Sequence, residues 1–147
     1  VLIVVGGVLA LLLLGGVVTG FVLYNRAAAP DRSAPDVVVD NYLRAFLVDR
    51  NDARANLYTC EGQAQLGPLR ELRLEVEQRE SKFDVTVRVS WGPLNRSPSS
   101  SGESVVTTLT IAGSADGVPR SSRREDWTFT VVEDDDGWRV CAAAKVG

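Results

Sequence analysis

The sequence predicts an α+β domain carried behind a membrane-spanning helix, and three observations predict it. Val1–Tyr24 is an apolar run without a single charge. One amphipathic helical stripe follows a proline-containing linker. The second half of the chain alternates apolar and polar residues with a period of two, interrupted by Asp-Gly turns. Helices first and a strand meander afterwards give an α+β arrangement, with one sheet face packed on a helix and the other partly wet.

Roughly 20 apolar residues in a helix rising about 1.5 Å each cross a hydrocarbon core of about 30 Å. Val1–Tyr24 is long enough for that. A cleaved signal peptide is the alternative: Ala27-Ala28-Ala29 offers small residues, but Pro30 would follow the cut, and signal h-regions are usually only about 7–15 residues. A buried soluble helix fits least, since the run has no polar face. The chain begins at Val1 rather than methionine, so flanking charges cannot be fully counted; Arg26, Asp31 and Arg32 alone do not fix orientation. Gly16 and Gly20 form a GxxxG pair, either a close-packing helix dimer face or ordinary glycine usage in such helices. The division expected is a transmembrane helix over 1–24, a linker over 25–35 and an extracytoplasmic domain over 36–147.

Beyond the linker, about 115 residues suit one small domain with one core. The net charge of −3, without clustered Lys and Arg, excludes a nucleic-acid surface. Histidine is absent, which removes the commonest general acid–base. Arginine outnumbers lysine, and alanine, valine and glycine abound, a bias seen in high-GC bacterial genomes. The two cysteines, Cys60 and Cys141, lie far apart. Two thiols do not make a metal site, and a catalytic thiol would lack its histidine base. A structural Cys60–Cys141 bridge suits an oxidising compartment; two buried free thiols are the other reading.

Arg26–Pro35 reads as an extended linker. Ser33 is a candidate cap, with Pro35 and Asp36 opening a helix over Asp36–Asp49. Val39, Tyr42, Leu43, Phe46 and Leu47 make its apolar stripe. A second short helix is expected over Asn51–Tyr58, and Gln63–Pro68 reads as irregular, broken by Gly67-Pro68. Leu72, Leu74 and Val76 alternate with charges and read as a strand, although the same residues are strong helix formers. Phe83, Val85, Val87, Val89 and Trp91 read as a half-buried strand. Gly92–Glu103 is a polar Ser/Pro/Gly segment, expected as a mobile hairpin loop or lid. Three strands complete the sheet: Ser104–Ala112, Arg123–Glu133 and Gly137–Lys145. Their inward residues include Val105, Leu109, Trp127, Phe129, Trp138 and Val140, which leaves Cys141 on the opposite face unless the strand bends.

The helix with Tyr42-Leu43-Arg44-Ala45-Phe46, the short helix ending near Cys60 and the closing Asp136-Gly137-Trp138-Arg139-Val140-Cys141 resemble nuclear transport factor 2-like (cystatin-like) domains. More narrowly they resemble the membrane-anchored forms found in actinobacteria. The resemblance covers about residues 35–146 and implies a curved antiparallel sheet wrapped on a long helix. It also implies a cone between helix and sheet that, in enzymes of this fold, holds Asp, Tyr or His.

No catalytic, cofactor-binding or metal-ligating set is expected. Tyr42 reads as a core tyrosine, and Asp84 and Asp126 fall on the strand face away from the aromatic residues. Asp134-Asp135-Asp136 lacks the ligand spacing of a calcium loop. Arg120, Arg123 and Arg124 form a basic cluster able to meet lipid headgroups or an acidic wall polymer, or simply a solvated edge that discourages strand pairing. The function expected is a non-catalytic accessory or interaction domain, single-pass at the cell membrane, with an envelope protein as partner. The alternative is a lipid or other apolar molecule in a cone lined by Tyr42, Phe46, Trp91, Trp127, Phe129 and Trp138. An isomerase- or cyclase-like enzyme is a further alternative.

Overall fold

The chain divides into two units, residues 1–30 and 31–147. The computed structural model describes residues 29–62 and 64–147. The expected span Val1–Tyr24, with Gly16 and Gly20, lies outside the described residues. Among the described residues no helix is long and apolar enough to cross a membrane.

Helix α1, Pro35–Leu43, passes directly into a π-helical turn, Arg44–Val48. Pro35 sits in the first turn, where its missing N–H costs no bond. Val39, Tyr42, Leu43, Phe46 and Leu47 are all buried, as the stripe requires. Ser33 does not cap this helix. Its hydroxyl and its N–H both donate to Asp31 Oδ1, at 2.7 and 3.1 Å, so a local turn captures the side chain first. The last linker residues are thereby fastened to the domain. Arg32 Nη1 donates to the Leu57 carbonyl at 3.1 Å, and the Arg32 carbonyl accepts the Trp138 N–H at 2.9 Å. Gly137 permits this approach: a Cβ there would lie 2.5 Å from the Arg32 carbonyl oxygen, and its φ of +119° suits glycine.

Helix α2, Asp52–Ala55, is capped by Asn51, whose side-chain oxygen accepts the Arg54 N–H at 3.0 Å. A 3₁₀ turn, Asn56–Tyr58, follows. The next element overturns an expectation. Residues Gly67–Phe83 form a helix, α3, not a strand. Leu69, Leu72 and Val76, at helical spacing, are buried, whereas Leu74 is 56% exposed. The alternation Leu72, Leu74, Val76 was therefore a coincidence inside a run of strong helix formers, supported by the Arg73–Glu77 pair one turn apart. Gly67-Pro68 opens the helix rather than breaking the chain. Phe83 ends it, exposed, and Asp84 turns the backbone out through the left-handed region.

Five antiparallel strands follow: β1 Thr86–Trp91, β2 Asn95–Ser99, β3 Gly102–Ala115, β4 Val118–Asp134 and β5 Gly137–Lys145. The order is β1-β3-β4-β5, with β2 also on β3, and the sheet curls around the helices as a half-barrel. The segment expected as a mobile loop contains β2, an exposed strand tolerating Pro98 and tied to β3 by Arg96–Glu103. Asp116 and Gly117, both at positive φ, make the β3–β4 turn. The inner face carries Val105, Thr107, Leu109, Ile111, Trp127, Phe129 and Val131, all buried.

Cys141 reaches Cys60 through a β-bulge. Thr130 pairs with Ala142 but Val131 with Val140, so Cys141 is the extra residue and the strand changes phase there. Val140 and Ala143 both point inward as a result. The Cys60–Cys141 disulfide forms with Cα atoms 4.9 Å apart. Beside it the Cys60 N–H donates to the Val140 carbonyl at 3.0 Å, and the Gln65 N–H to the Cys141 carbonyl at 2.7 Å. The segment after the 3₁₀ turn thus covers the outer edge of β5.

Candidate functional site

A concavity among the described residues lies between helices rather than between helix and sheet. Tyr42 and Phe46 come from the end of α1 and the π-helical turn, one turn apart, with rings stacked at 5.5 Å. Ala55 comes from α2, and Thr59, Cys60 and Leu66 from the connection to α3. Arg70, Arg73, Leu74 and Glu77 form the wall supplied by α3, at the i, i+3, i+4, i+7 spacing of one helix face. Together they enclose an open groove of about 780 Å³, within the range of small-molecule sites.

The charges in this groove are largely spent on one another. The Arg73 guanidinium lies over the Phe46 ring, 4.7 Å from its centre. It donates to Asp52 at 2.6 Å and to Glu77 at 3.0 Å, joining α2 to α3. Burial works against the Arg73 charge, but these two bonds outweigh it and raise its pKa further. Burial also pushes the Tyr42 hydroxyl well above the usual tyrosine range, against the opposing pull of Arg70 and Arg73. A phenol so placed stays neutral at physiological pH and is a donor or acceptor, not a base. Arg70 has no ion-pair partner among the described residues. Groups of three or more His, Cys, Asp or Glu able to hold a metal are absent among the described residues.

Of the six aromatic residues expected to line a cone, the structure brings only Tyr42 and Phe46 into this groove. Trp127 and Phe129 are 2% and 0% exposed, packed on the inner sheet face. Trp91 is half-buried and its indole donates to Asp40 Oδ1 at 2.8 Å, pinning β1 to α1. Trp138 is half-buried against the core. The basic cluster also divides. Arg123 faces inward and is doubly bonded to Glu75 of α3 at 2.6 and 2.8 Å. Arg120 and Arg124 stay exposed. Asp126 is exposed and accepts from Thr108 at 2.6 Å, while Asp134 pairs with Arg139 in the acidic turn. Sequence reasoning missed Arg70, Arg73 and Leu74 because their segment was read with a period of two; a helical projection would have put them on one face with Glu77.

Comparison with known proteins adds little to this geometry. No family model matches the chain, and no curated protein matches it. Among solved structures it is similar to a protein of Thiobacillus denitrificans described as a calcium/calmodulin-dependent protein kinase type II association domain. The identity is 16% and the TM-score 0.45, over 80% of this chain and 99% of that one. It is similar also to the intermembrane space region of the chloroplast protein ARC6, at 13% identity and a TM-score of 0.44, over 80% of this chain and 97% of that one. Likeness at this level carries no functional argument.

Proposed function

We propose that this chain is a membrane-tethered accessory domain of the cell envelope, of the nuclear transport factor 2-like class and actinobacterial type, that acts by binding a protein partner rather than by catalysis. Val1–Tyr24 is the tether, and the disulfide-bonded domain stands outside the cytoplasm. The observation that carries a binding role is the groove. Its lining includes the almost wholly buried Phe46, Ala55 and Leu66 and the exposed Leu74, while the Arg73 guanidinium is tied to Asp52 and Glu77. An apolar floor with a charged rim is the pattern of a recognition site. The test places a photo-crosslinking residue at Leu74, exposed on the rim, in the full chain in its membrane. A discrete crosslinked protein, lost when Ala55→Trp fills the groove, is the expected result. Turnover of a small molecule that depends on Tyr42, with no crosslinked protein, would overturn the reading.

The Tyr42 hydroxyl favours a second reading. Tyr42 lines the groove, and its hydroxyl has no hydrogen-bond partner among the described residues. An apolar ligand or lipid carrying one polar atom would satisfy it. Native mass spectrometry of the full chain, released from detergent, would then show a bound mass that disappears on denaturation.

A further inference from the structure

The arginines of the described unit fall into two groups. Arg44, Arg50, Arg54, Arg73, Arg96, Arg123 and Arg139 are each paired with carboxylates. Arg32, Arg70, Arg79, Arg88, Arg120 and Arg124 have no such partner among the described residues: Arg32 and Arg79 donate to Leu57 and Ser121 instead, Arg70 borders the helical groove, and Arg88, Arg120 and Arg124 lie at one end of the sheet.

Strand register explains why they gather. Arg88 pairs with Ala112, and Ala112 with Ser122, so these three form one row across β1, β3 and β4. Ser90, Thr110 and Arg124 form the next row on the same, outer face. Strands β1 and β4 are two strand spacings apart, about 10 Å, which long arginine side chains can bridge over the small Ala112. The register shift at Gly113/Ser114 leaves Arg120 as an extra residue in β4 beside this row. The result is a concavity of about 560 Å³ lined by Arg88, Ala112, Ser114, Arg120 and Ser122. The acids nearby are few. Asp116 lies in the adjoining turn, Asp84 just before β1, and Asp126 is engaged by Thr108.

We infer that this concavity is an anion site for the phosphate group of a soluble molecule, gripped by Arg88 and Arg120, with Ser114 and Ser122 hydroxyls completing the shell and Arg124 adding charge. Guanidinium forks match phosphate oxygens in geometry as well as charge. On the tethered reading proposed above, on which this choice of source rests, a bilayer lipid is the less suitable source. The site lies at the β3–β4 turn, whereas the chain enters the domain through Arg32, bonded to Trp138 at the far end of β4. The fourteen residues separating Arg120 from Asp134 along β4 amount to roughly 45 Å at a strand rise of about 3.3 Å. This site is separate from the helical groove and stands or falls independently of it.

The test is calorimetric titration of the full chain, in neutral detergent, with inorganic pyrophosphate. Saturable binding is expected, weakened about tenfold by Arg88→Gln and by Arg120→Gln individually, the loss typical of a charge-assisted contact. Arg44→Gln, which removes an exposed charge in the π-helical turn, should leave binding unchanged, and all three variants should keep the parent's melting temperature. Absence of saturable binding, or equal weakening by Arg44→Gln, would overturn the site. Binding to phosphatidylglycerol vesicles but not to pyrophosphate would overturn the soluble source.

Discussion

On the inner face of β4, Phe129 and Val131 meet Val105 and Val140 without exposure to solvent. Toward the β3–β4 turn the same strand instead presents Ser121 and Arg123 to α3. One region is held by apolar burial, the neighbouring disulfide and the bonded entry segment. The other is held by a polar cluster: Arg123 on Glu75 and Glu125, Lys145 on Glu125 at 3.0 Å, and the Trp127 indole on Glu125 at 3.1 Å. Apolar burial has no charge to titrate, so the first region should answer to volume and covalent change. The second should answer to pH.

The largest effect expected is on the apolar side. Phe129→Ala deletes a fully buried ring where β3, β4 and β5 converge. A loss of about 3–5 kcal/mol is expected from the transfer and cavity terms together, read as a fall in the denaturant midpoint. A loss below about 1 kcal/mol would mean that this core is loose, and the comparison would fail at its firmer end. Replacing both cysteines, Cys60→Ser with Cys141→Ser, should cost about 2–4 kcal/mol, because the bridge closes a long loop in the unfolded chain. The sequence separation of 81 sets an upper figure of about 4–5 kcal/mol on the chain-entropy model. Little change between oxidised protein and double variant would show that the Gln65 and Cys60 backbone bonds to β5 hold that edge unaided.

The contrast also explains what could be read from sequence. β3 and β4 were legible because most inner residues are apolar and most outer ones polar, the pattern of a sheet with one wet face. The α1 stripe was legible for the same reason at helical spacing. α3 was not, because its charged positions fit both periods, and tertiary packing decides which apolar residues turn inward: Leu72 and Val76 do, Leu74 does not. β2 was hidden because an edge strand exposed on both faces needs no apolar pattern. The disulfide partners were legible from compartment chemistry, but the bulge that lets Cys141 reach Cys60 depends on β4–β5 register, which no local signal encodes. The groove was illegible for the reason α3 was, since one of its walls is that helix.

The last prediction concerns the polar side and carries the sign of the comparison. Burial alone would raise the Glu125 pKa, but bonds from Lys145 and Trp127 and the charge of Arg123 outweigh it, and the carboxyl ends below its ordinary value of 4.5. The bond from Arg123 lowers Glu75 likewise. Groups lowered in the folded state stabilise it while ionised. Their contribution is therefore complete above the ordinary carboxylate value and fades as pH falls through the folded one. Unfolding midpoints measured from pH 7 down to about pH 3 should drop in the parent protein. Glu125→Gln should cost about 1–2 kcal/mol at pH 7, by breaking charged hydrogen bonds, and should show a shallower drop on acidification. Phe129→Leu, a change confined to the apolar side, should keep the parent's slope at a lower midpoint. If Glu125→Gln also keeps that slope, acid sensitivity arises elsewhere, and the two regions differ in composition but not in what holds them.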